Sequence, residues 1–463
     1  MDILNTAPKD FIPGESWLLP LGNAIDQERK SPPLSAFVDD KSKYAQVSPD
    51  RYFNPAYVDL EWDKIWSKVW MCAGRLSDIP EKGSWLRFDF GRESFIVSRA
   101  SDTEIAAFYN VCQHRGNRLV DTEFGKSSAF VCPFHSWRYD RAGKNIGVTD
   151  RETFSEAALC GELNLRKVKL DTWAGFIFIN MDDNAGPLSD YLGEVIDITS
   201  VYPLDKMEVR ADIRLELDCN WKMFQDAFSE NYHVHITHPA FVDCTLDRYL
   251  QIDFYQGGHS RRITPVGPKS SRLPLSNQLN DMQKYLLQNA GVDLETFAGN
   301  SEDVRRAIQL IKRAKDGIYA DAYAQLSDNQ LSDNWSMNIF PNLHTSIHSE
   351  GLLMLRYEPH RSDPEKCYLY ALVLALPGMD FDLYCPVNPD APREASGRPS
   401  RVHVKHDDPD VLEKIGLLIY EDIRNTRETQ QGMKSAGFKG MRLSEQEQVM
   451  MHQHAEMDRY LEL

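Results

Sequence analysis

Several things that would assign this chain to a broad class are scarce or missing. Its eight cysteines, at positions 72, 112, 132, 160, 219, 244, 367 and 385 of 463, follow no regular framework, which argues against the disulfide-stapled folds of small secreted domains. Six of them have plain surroundings and read as buried structural thiols; Cys112 and Cys132 stand apart. Basic residues are outnumbered, 52 Lys and Arg against 69 Asp and Glu, for a formal charge of −17. Such a surface repels phosphate backbones and anionic lipid, so a general nucleic-acid or membrane-surface role is disfavoured. The longest apolar stretch, around Tyr368 to Pro377, falls far short of the roughly 20 residues of a membrane span. Met1 to Pro8 offers neither the basic start nor the apolar core of a secretory signal, and the expectation is a soluble, cytoplasmic protein. There is no internal repeat and no low-complexity tract, which leaves no place for a solenoid or a tail.

What is present is the composition of a globular protein, 42% hydrophobic and 26% charged with abundant aromatics. The length suggests two or three domains at roughly 150 residues each. A helical pattern from Pro55 to Val69 is followed by short segments of strand character, Ser84 to Phe90, Ser94 to Ser98 and Ile105 to Tyr109. These predict a small all-β unit closing near the strand Trp173 to Asn180. After Asp182 long amphipathic stretches appear at Asn220 to Ile236, Gln283 to Asn289, Val304 to Ala314 and Val411 to Met433, mixed with strand-like runs at Leu352 to Arg356 and Cys367 to Leu376. The second part is therefore α+β. Asn300 or Ser301 is the expected cap of the Val304 helix and Gly317 its stop, and Pro386 to Pro409 reads as an exposed loop.

Inside the β unit, Cys112-Gln113-His114-Arg115-Gly116 and Cys132-Pro133-Phe134-His135 each offer one thiol and one imidazole from a short loop, with 17 residues between His114 and Cys132. Zinc knuckles usually place two sulfurs on one loop, whereas a Rieske centre has two histidines in place of two cysteines on one of its irons. Gly116 and Pro133 suit loops that bend tightly around a bulky cluster. Buried cysteines with satisfied core histidines, or a structural zinc, are the competing readings.

A second constellation lies on Asn220 to Pro239. Asp226, Glu230 and His233 stand at i, i+4 and i+7, one stripe of a helix. His233 and His238 are five apart, about 140° around an ideal helix, so the helix must break before both can face one metal. Pro239 supplies the reason by disfavouring the α conformation at His238. His235, at i−3 from His238, is the competing ligand. Downstream, Asp422 falls on the apolar face with Leu418 and Ile419, an expensive position for a carboxylate without a partner or metal, while Glu421 points about 100° away. Two histidines and one carboxylate form the facial triad of non-heme iron(II) oxygenases. A salt-bridged interior Asp422 is the plainer alternative.

The motif C-x-H-x17-C-x2-H, with R-G after the first His, resembles the fingerprint of the Rieske non-heme iron aromatic-ring-hydroxylating oxygenases, specifically their large, or alpha, catalytic subunits. N-W-K followed by E-x-x-H-x4-H-P, and E-D-x5-E-x-Q-x-G near the end, extend the resemblance. It covers Tyr52 to Leu461, with the first 50 residues and Leu246 to Ser332 poorly matched. The resemblance implies a small all-β Rieske domain (52–181) and a larger α+β catalytic domain (182–463) with a central antiparallel sheet covered by helices, and residues 1–51 as an extension packing on the catalytic domain. It implies that Cys112 and Cys132 hold one iron of a 2Fe-2S cluster and His114 and His135 the other, with mononuclear Fe(II) on His233, His238 and Asp422. Glu230 takes the place of the family's bridging carboxylate, usually Asp, and a Glu there also occurs in relatives acting on quaternary ammonium compounds. Asp226 stands where relatives often carry Glu, and Ala227 where ring dioxygenases carry Asn.

The implied activity is that of a terminal oxygenase using dioxygen and two electrons on a hydrophobic or aromatic substrate, with a quaternary ammonium compound as the alternative substrate and a cluster-bearing electron-transfer or sensor protein as the non-catalytic one. Electrons, ultimately from NAD(P)H, would come from a ferredoxin or flavin reductase and cross to a neighbouring subunit of a head-to-tail homotrimer, to which a small beta subunit can add. Ala227, Phe228, Asn231 and Val234 are the expected pocket residues, and helices in Leu273 to Ser332 its roof. Between Asn110 and Asn145, Arg115, Arg118, Lys126, Arg138, Arg141 and Lys144 outnumber Asp121, Glu123 and Asp140 by three, a candidate docking patch.

Overall fold

The computed structural model describes residues 28–463 apart from 29, 249, 275, 382–385, 388, 389 and 395. Met1 to Pro8 and Cys385 lie outside the described residues. The chain forms two compact units, one made of Val58–Tyr191 with Pro389–Ser400, the other of Met1–Tyr57, Leu192–Asn388 and Arg401–Leu463.

The smaller unit is built on antiparallel strands. A four-stranded sheet runs in the order Ile105–Tyr109, Glu93–Arg99, Ser84–Phe90, Phe124–Lys126. Three short strands, Phe130–Val131, Arg138–Tyr139 and Asn145–Gly147, form a second sheet, and Lys169–Trp173, Phe176–Asn180 and Met71–Arg75 a third. Trp85, Ile96, Phe108, Phe130, Trp137 and Tyr139 pack into one core together with Cys112 and Cys132. The helix expected over Pro55 to Val69 is shorter. Ala56–Glu61 is α-helical and Trp62–Trp66 continues as a wide π turn. Gly91, at φ +51°, lies over the Trp62 ring, where a Cβ would stand 2.5 Å from the indole; only glycine fits there.

The larger unit carries an eight-stranded sheet. Its strands in chain order are β1 (Glu208–Leu217), β2 (Gln251–Phe254), β3 (Ser260–Thr264), β4 (Asn334–Ile339), β5 (Leu343–Ile347), β6 (Gly351–Pro359), β7 (Cys367–Ala375) and β8 (Val402–Lys405). The spatial order is β2-β3-β4-β5-β6-β7-β1-β8. Every neighbouring pair is antiparallel except β1 with β8, which is parallel, so the sheet is mixed rather than antiparallel throughout. The long path between β7 and β8, part of which belongs to the other unit, permits this pairing. β8 also corrects the reading of Pro386 to Pro409 as loop; only Val404 of it is buried, so its apolar signal is slight.

Helices lie against the sheet: α1 (Trp221–Ala227), α2 (Val234–Thr237), α3 (Asp281–Ala290), α4 (Val304–Arg313), α5 (Leu417–Met433) and α6 (Gln448–Leu461). The single helix expected over Val411 to Met433 is divided at Gly416, whose φ of +80° no ordinary helical residue adopts. Helix α4 begins after Asp303, not at an Asn300 or Ser301 cap, and ends at Ala314; Gly317 opens the next helix. The Asp303 carboxylate accepts the Asn300 N–H at 2.9 Å, which reverses the expected capping direction.

The described part of the N-terminal segment packs on this larger unit. Leu34, Val38 and Tyr44 join a core with Ile252, Phe254, Val449 and Met451, and Arg51 pairs with Asp458 at 3.0 Å. Tyr52, placed by sequence in the β unit, is buried here instead, its hydroxyl 2.5 Å from Asp226. Of the six cysteines read as structural, Cys72, Cys219, Cys244 and Cys367 are buried, but Cys160 is exposed, since it ends a 3-10 helix, Glu156–Leu159, that buries no residue. Among the described residues no helix is long and apolar enough to cross a membrane.

Candidate functional site

The Cys/His loops of the smaller unit are built alike. The Cys112 N–H donates to the Asn117 carbonyl at 2.8 Å and the Gly116 N–H to the Cys112 carbonyl at 3.0 Å; the Cys132 N–H donates to the Trp137 carbonyl at 2.8 Å and the Ser136 N–H to the Cys132 carbonyl at 2.9 Å. Gly116 and Ser136 occupy equivalent places at φ +77° and +57°. The left-handed turn at Gly116 is itself a reason for glycine there. Both thiols are buried, while the two imidazoles are half-buried and lie 4.5 Å apart, ring to ring. Trp137 stacks on His114 at 5.0 Å, and the Tyr139 hydroxyl sits 3.4 Å from Cys112 Sγ. Burial pushes the Cys112 thiol up, and adjacent Cys132 adds to this against the Tyr139 hydroxyl.

The donor set fits a Rieske cluster. Nδ1 of His114 and of His135 is buried with no hydrogen-bond partner among the described residues, an arrangement that costs free energy unless something binds there. Four convergent S and N donors on two matched loops supply that partner's ligands.

In the larger unit Asn220 caps α1, its side chain accepting from Lys222 N–H at 3.1 Å. The helix then stops earlier than expected. Ser229 Oγ lies 2.7 Å from the Gln225 carbonyl and 2.9 Å from Gln453 Oε1, and the Glu230 carboxylate accepts the His233 backbone N–H at 3.1 Å. The break therefore falls at Phe228 to His233, and a helical turn, α2, joins the two histidines. His238 leaves that turn at φ −120°, ψ 67°, outside the α region, as a residue before proline does.

The result brings His233, His238 and Asp422 together, with one ligand atom of each within 4.8 Å of the others. His233 Nδ1 bonds Glu230 Oε1 at 2.5 Å and His238 Nδ1 bonds Glu421 Oε2 at 2.7 Å. Each carboxylate accepts a hydrogen bond from Nδ1–H, which in the neutral rings leaves both Nε2 lone pairs facing inward. The two Nε2 atoms are 3.3 Å apart, and Asp422 Oδ1 lies 3.6 Å from the first and 3.3 Å from the second. Three ligand atoms so arranged attract a cation, either a proton on an imidazole or a metal ion that displaces it. Burial opposes charge on His233, but Glu230 and Asp422 outweigh it and push the imidazole up to about 9, the mark of a site whose negative potential is uncompensated. Glu230→Gln removes the anion behind His233; about 10- to 100-fold weaker iron retention is expected, measured by chelator competition, with the cluster spectrum unchanged.

Other sequence candidates go elsewhere. Asp226 leaves the expected stripe for Tyr52 and His454, because α1 ends before the stripe can form. His235 turns to the Tyr232 carbonyl at 2.8 Å. Glu421, set aside because it points away from Asp422, reaches His238 from that very direction; nothing in the local pattern marks it.

A cavity of about 120 Å³ opens on the triad. Ala227, Phe228, Asn231 and Val234 all line it. Met282, Tyr285 and Leu286 of α3 give the roof, while α4 packs behind through Val304 and Ile308. The sheet provides a polar floor that sequence reasoning did not find, with Arg262, Thr264, Ser336, His344, Ser346 and His348. Strand alternation alone could not reveal it, since β3, β4 and β5 are almost wholly buried on both faces.

The model of the ring hydroxylating alpha subunit catalytic domain matches residues 204–463, and that of the Rieske 2Fe-2S domain matches 69–159. The chain belongs to the ring-hydroxylating alpha-subunit family, with a Rieske cluster domain and a catalytic domain of the kind that binds mononuclear iron. The first match runs through Leu246 to Ser332, the segment whose motifs resembled the family least. The glycine betaine monooxygenase oxygenase subunit of Pseudomonas aeruginosa is 27% identical over 50% of this chain and 52% of its own. The benzene 1,2-dioxygenase alpha subunit of Pseudomonas putida is 31% identical over 45% and 47%. The chain thus spans about half the length of the curated relatives it matches. Among solved structures, a quaternary ammonium Rieske monooxygenase in complex with L-carnitine shares the fold at a TM-score of 0.61 and 17% identity over 93% of this chain and 99% of that one. Naphthalene 1,2-dioxygenase from Rhodococcus sp. does so at 0.59 and 20% over 92% and 97%.

Proposed function

We propose that this chain is the terminal oxygenase component of a multicomponent Rieske oxygenase acting on an organic substrate with a sizeable apolar or aromatic body. The observation that carries the reading is the pair of histidines, each tied at Nδ1 to a carboxylate, converging with Asp422 on the wall of a pocket. When loaded, the cluster relays electrons and the mononuclear iron activates dioxygen for insertion into a C–H or aromatic C=C bond. The protein's share is position and dryness. Glu230 and Glu421 fix the imidazole rings, Phe228, Phe241, Tyr285 and Leu418 exclude water, and the half-buried edges of His114 and His135 give electrons a way in and out. A second reading, oxidation of a quaternary ammonium compound, is favoured by Glu230 at the bridge position. Product analysis under labelled dioxygen with aromatic and quaternary ammonium panels tests both; incorporation of label into neither panel overturns the proposal.

Surface features support the assembly. Phe134 beside the cluster loops is 57% exposed, and in the larger unit Ile236 is 75% exposed, sharing a groove with Tyr420 and the Glu421 that holds His238. Apolar groups so placed favour a homotrimer, with or without a small beta subunit, in which electrons pass between subunits. Ile236→Glu is expected to shift the mass by light scattering from trimer toward monomer and to lower turnover while both iron sites stay filled. Around the cluster Arg115, Arg118, Arg138 and Lys144 are exposed, whereas Lys126 pairs with Glu81 at 2.7 Å and Arg141 with the carbonyls of Ala100 and Ser128. The four exposed cations favour an acidic ferredoxin or flavin reductase fed by NAD(P)H as donor. Thiol ligands and such donors suit the cytoplasm.

A further inference from the structure

The pocket floor contains a buried cation without an anion. Alternate residues of a strand face opposite sides of the sheet. On β3, Arg261 bonds Asp253 at 2.7 Å and lies over Trp335, while Arg262 and Thr264 line the cavity. The buried guanidinium groups of Arg51, Arg261, Arg305, Arg356 and Arg398 hold carboxylates at 3.0, 2.7, 2.5, 2.6 and 2.5 Å. Arg262, equally buried at 5% exposure, has no carboxylate within ion-pair distance among the described residues. Its Nη2 donates to the Phe228 carbonyl at the end of α1, at 3.0 Å. Its Nε and Nη1 are buried and have no hydrogen-bond partner among the described residues.

Arg262 is also the one Arg or Lys among the described residues that line the cavity. Glu230 acts on it electrostatically, but both Glu230 oxygens are engaged by His233. Burial lowers the guanidinium to about 10, so it remains charged at neutral pH. His348 is lowered by burial to about 4 and His344 far below its ordinary value, so neither competes for an anion. Capping α1 accounts for one nitrogen of Arg262 and leaves two buried and unsatisfied among the described residues, in a place where an unpaired charge is costly.

We infer that Arg262 is the substrate anchor of this pocket and that the substrate is an organic carboxylate, its carboxylate accepting charge-assisted hydrogen bonds from the unsatisfied guanidinium of Arg262 and its apolar body lying against Phe228, Phe241, Tyr285 and Leu286. The inference rests on the proposed oxygenase reading only in using the same pocket. Iron and cluster content test that reading, and ligand affinity tests this one.

The experiment is calorimetric titration of the anaerobic holoenzyme, which cannot turn over, with two arms of carboxylates each set against an uncharged amide isostere: substituted benzoates against benzamides, and betaines against betaine amides. In at least one arm the carboxylate is expected to bind about a hundredfold or more tightly than its amide, and the arm that does so identifies the source. In Arg262→Gln the preference should fall to within about threefold with iron content intact, and Arg262→Lys should restore part of it. Equal binding of acid and amide by the wild-type protein, binding in neither arm, or a preference that survives in Arg262→Gln would overturn the assignment. The wild-type comparison stands alone if the glutamine variant does not fold.

Discussion

Asp422→Ala is expected to empty the mononuclear site while leaving the cluster in place. Among the described residues Asp422 is the one anion whose carboxylate faces both inward Nε2 atoms, at 3.3 and 3.6 Å, and it sits on α5 between Ile419 and Ile423, both buried. Two neutral imidazoles without it offer iron(II) neither the charge nor the third face-sharing ligand that holds it. Iron should fall from about three to about two per chain, with the red-brown absorption and acid-labile sulfide unchanged and turnover at background. The loops of Cys112 and Cys132 belong to a different compact unit, and this is why the two losses separate. Retained turnover would remove Asp422 from the ligand set.

Cys132→Ser should do the reverse. Cys132 is 1% exposed within the core that also holds Phe108, Phe130 and Tyr139, so cluster binding and the packing of that unit are linked. Colour and labile sulfide are expected to vanish, about two irons to be lost, and the unit to melt at lower temperature, while the mononuclear site still takes up about one iron. His135→Cys is the milder companion. It keeps four ligands but exchanges one imidazole for a thiolate, giving three cysteines and His114, and the reduction potential should drop by about 100 mV or more. A coloured Cys132→Ser protein with unchanged sulfide would show that the cluster lies elsewhere.

Much of this site was legible because its parts are local. Cys112 with His114 and Cys132 with His135 sit on single loops whose spacing alone limits the chemistry, and His233, His238 and Pro239 fall within one stretch of chain. Asp422 could be singled out because Leu418 and Ile419 mark the buried face that it shares; the interruption at Gly416, one turn earlier, did not disturb that register. What remained hidden depends on tertiary contacts. Glu421 approaches His238 across 183 positions of sequence, and Arg262 meets Phe228 from a strand that is buried on both faces. The end of α1 at Phe228 was also invisible, since Ser229 and Glu230 are tolerable helix residues until Gln453 and the His233 N–H draw them out of it. The parallel pairing of β8 needed knowledge of where the intervening chain goes.

On this reading one polypeptide holds two chemically distinct iron stations. The most direct test is iron and acid-labile sulfide analysis of the fully reconstituted wild-type chain, grown with zinc present as a competitor. About three irons and two sulfides per chain are expected. A colourless protein carrying zinc, with no labile sulfide and at most one iron, would contradict it.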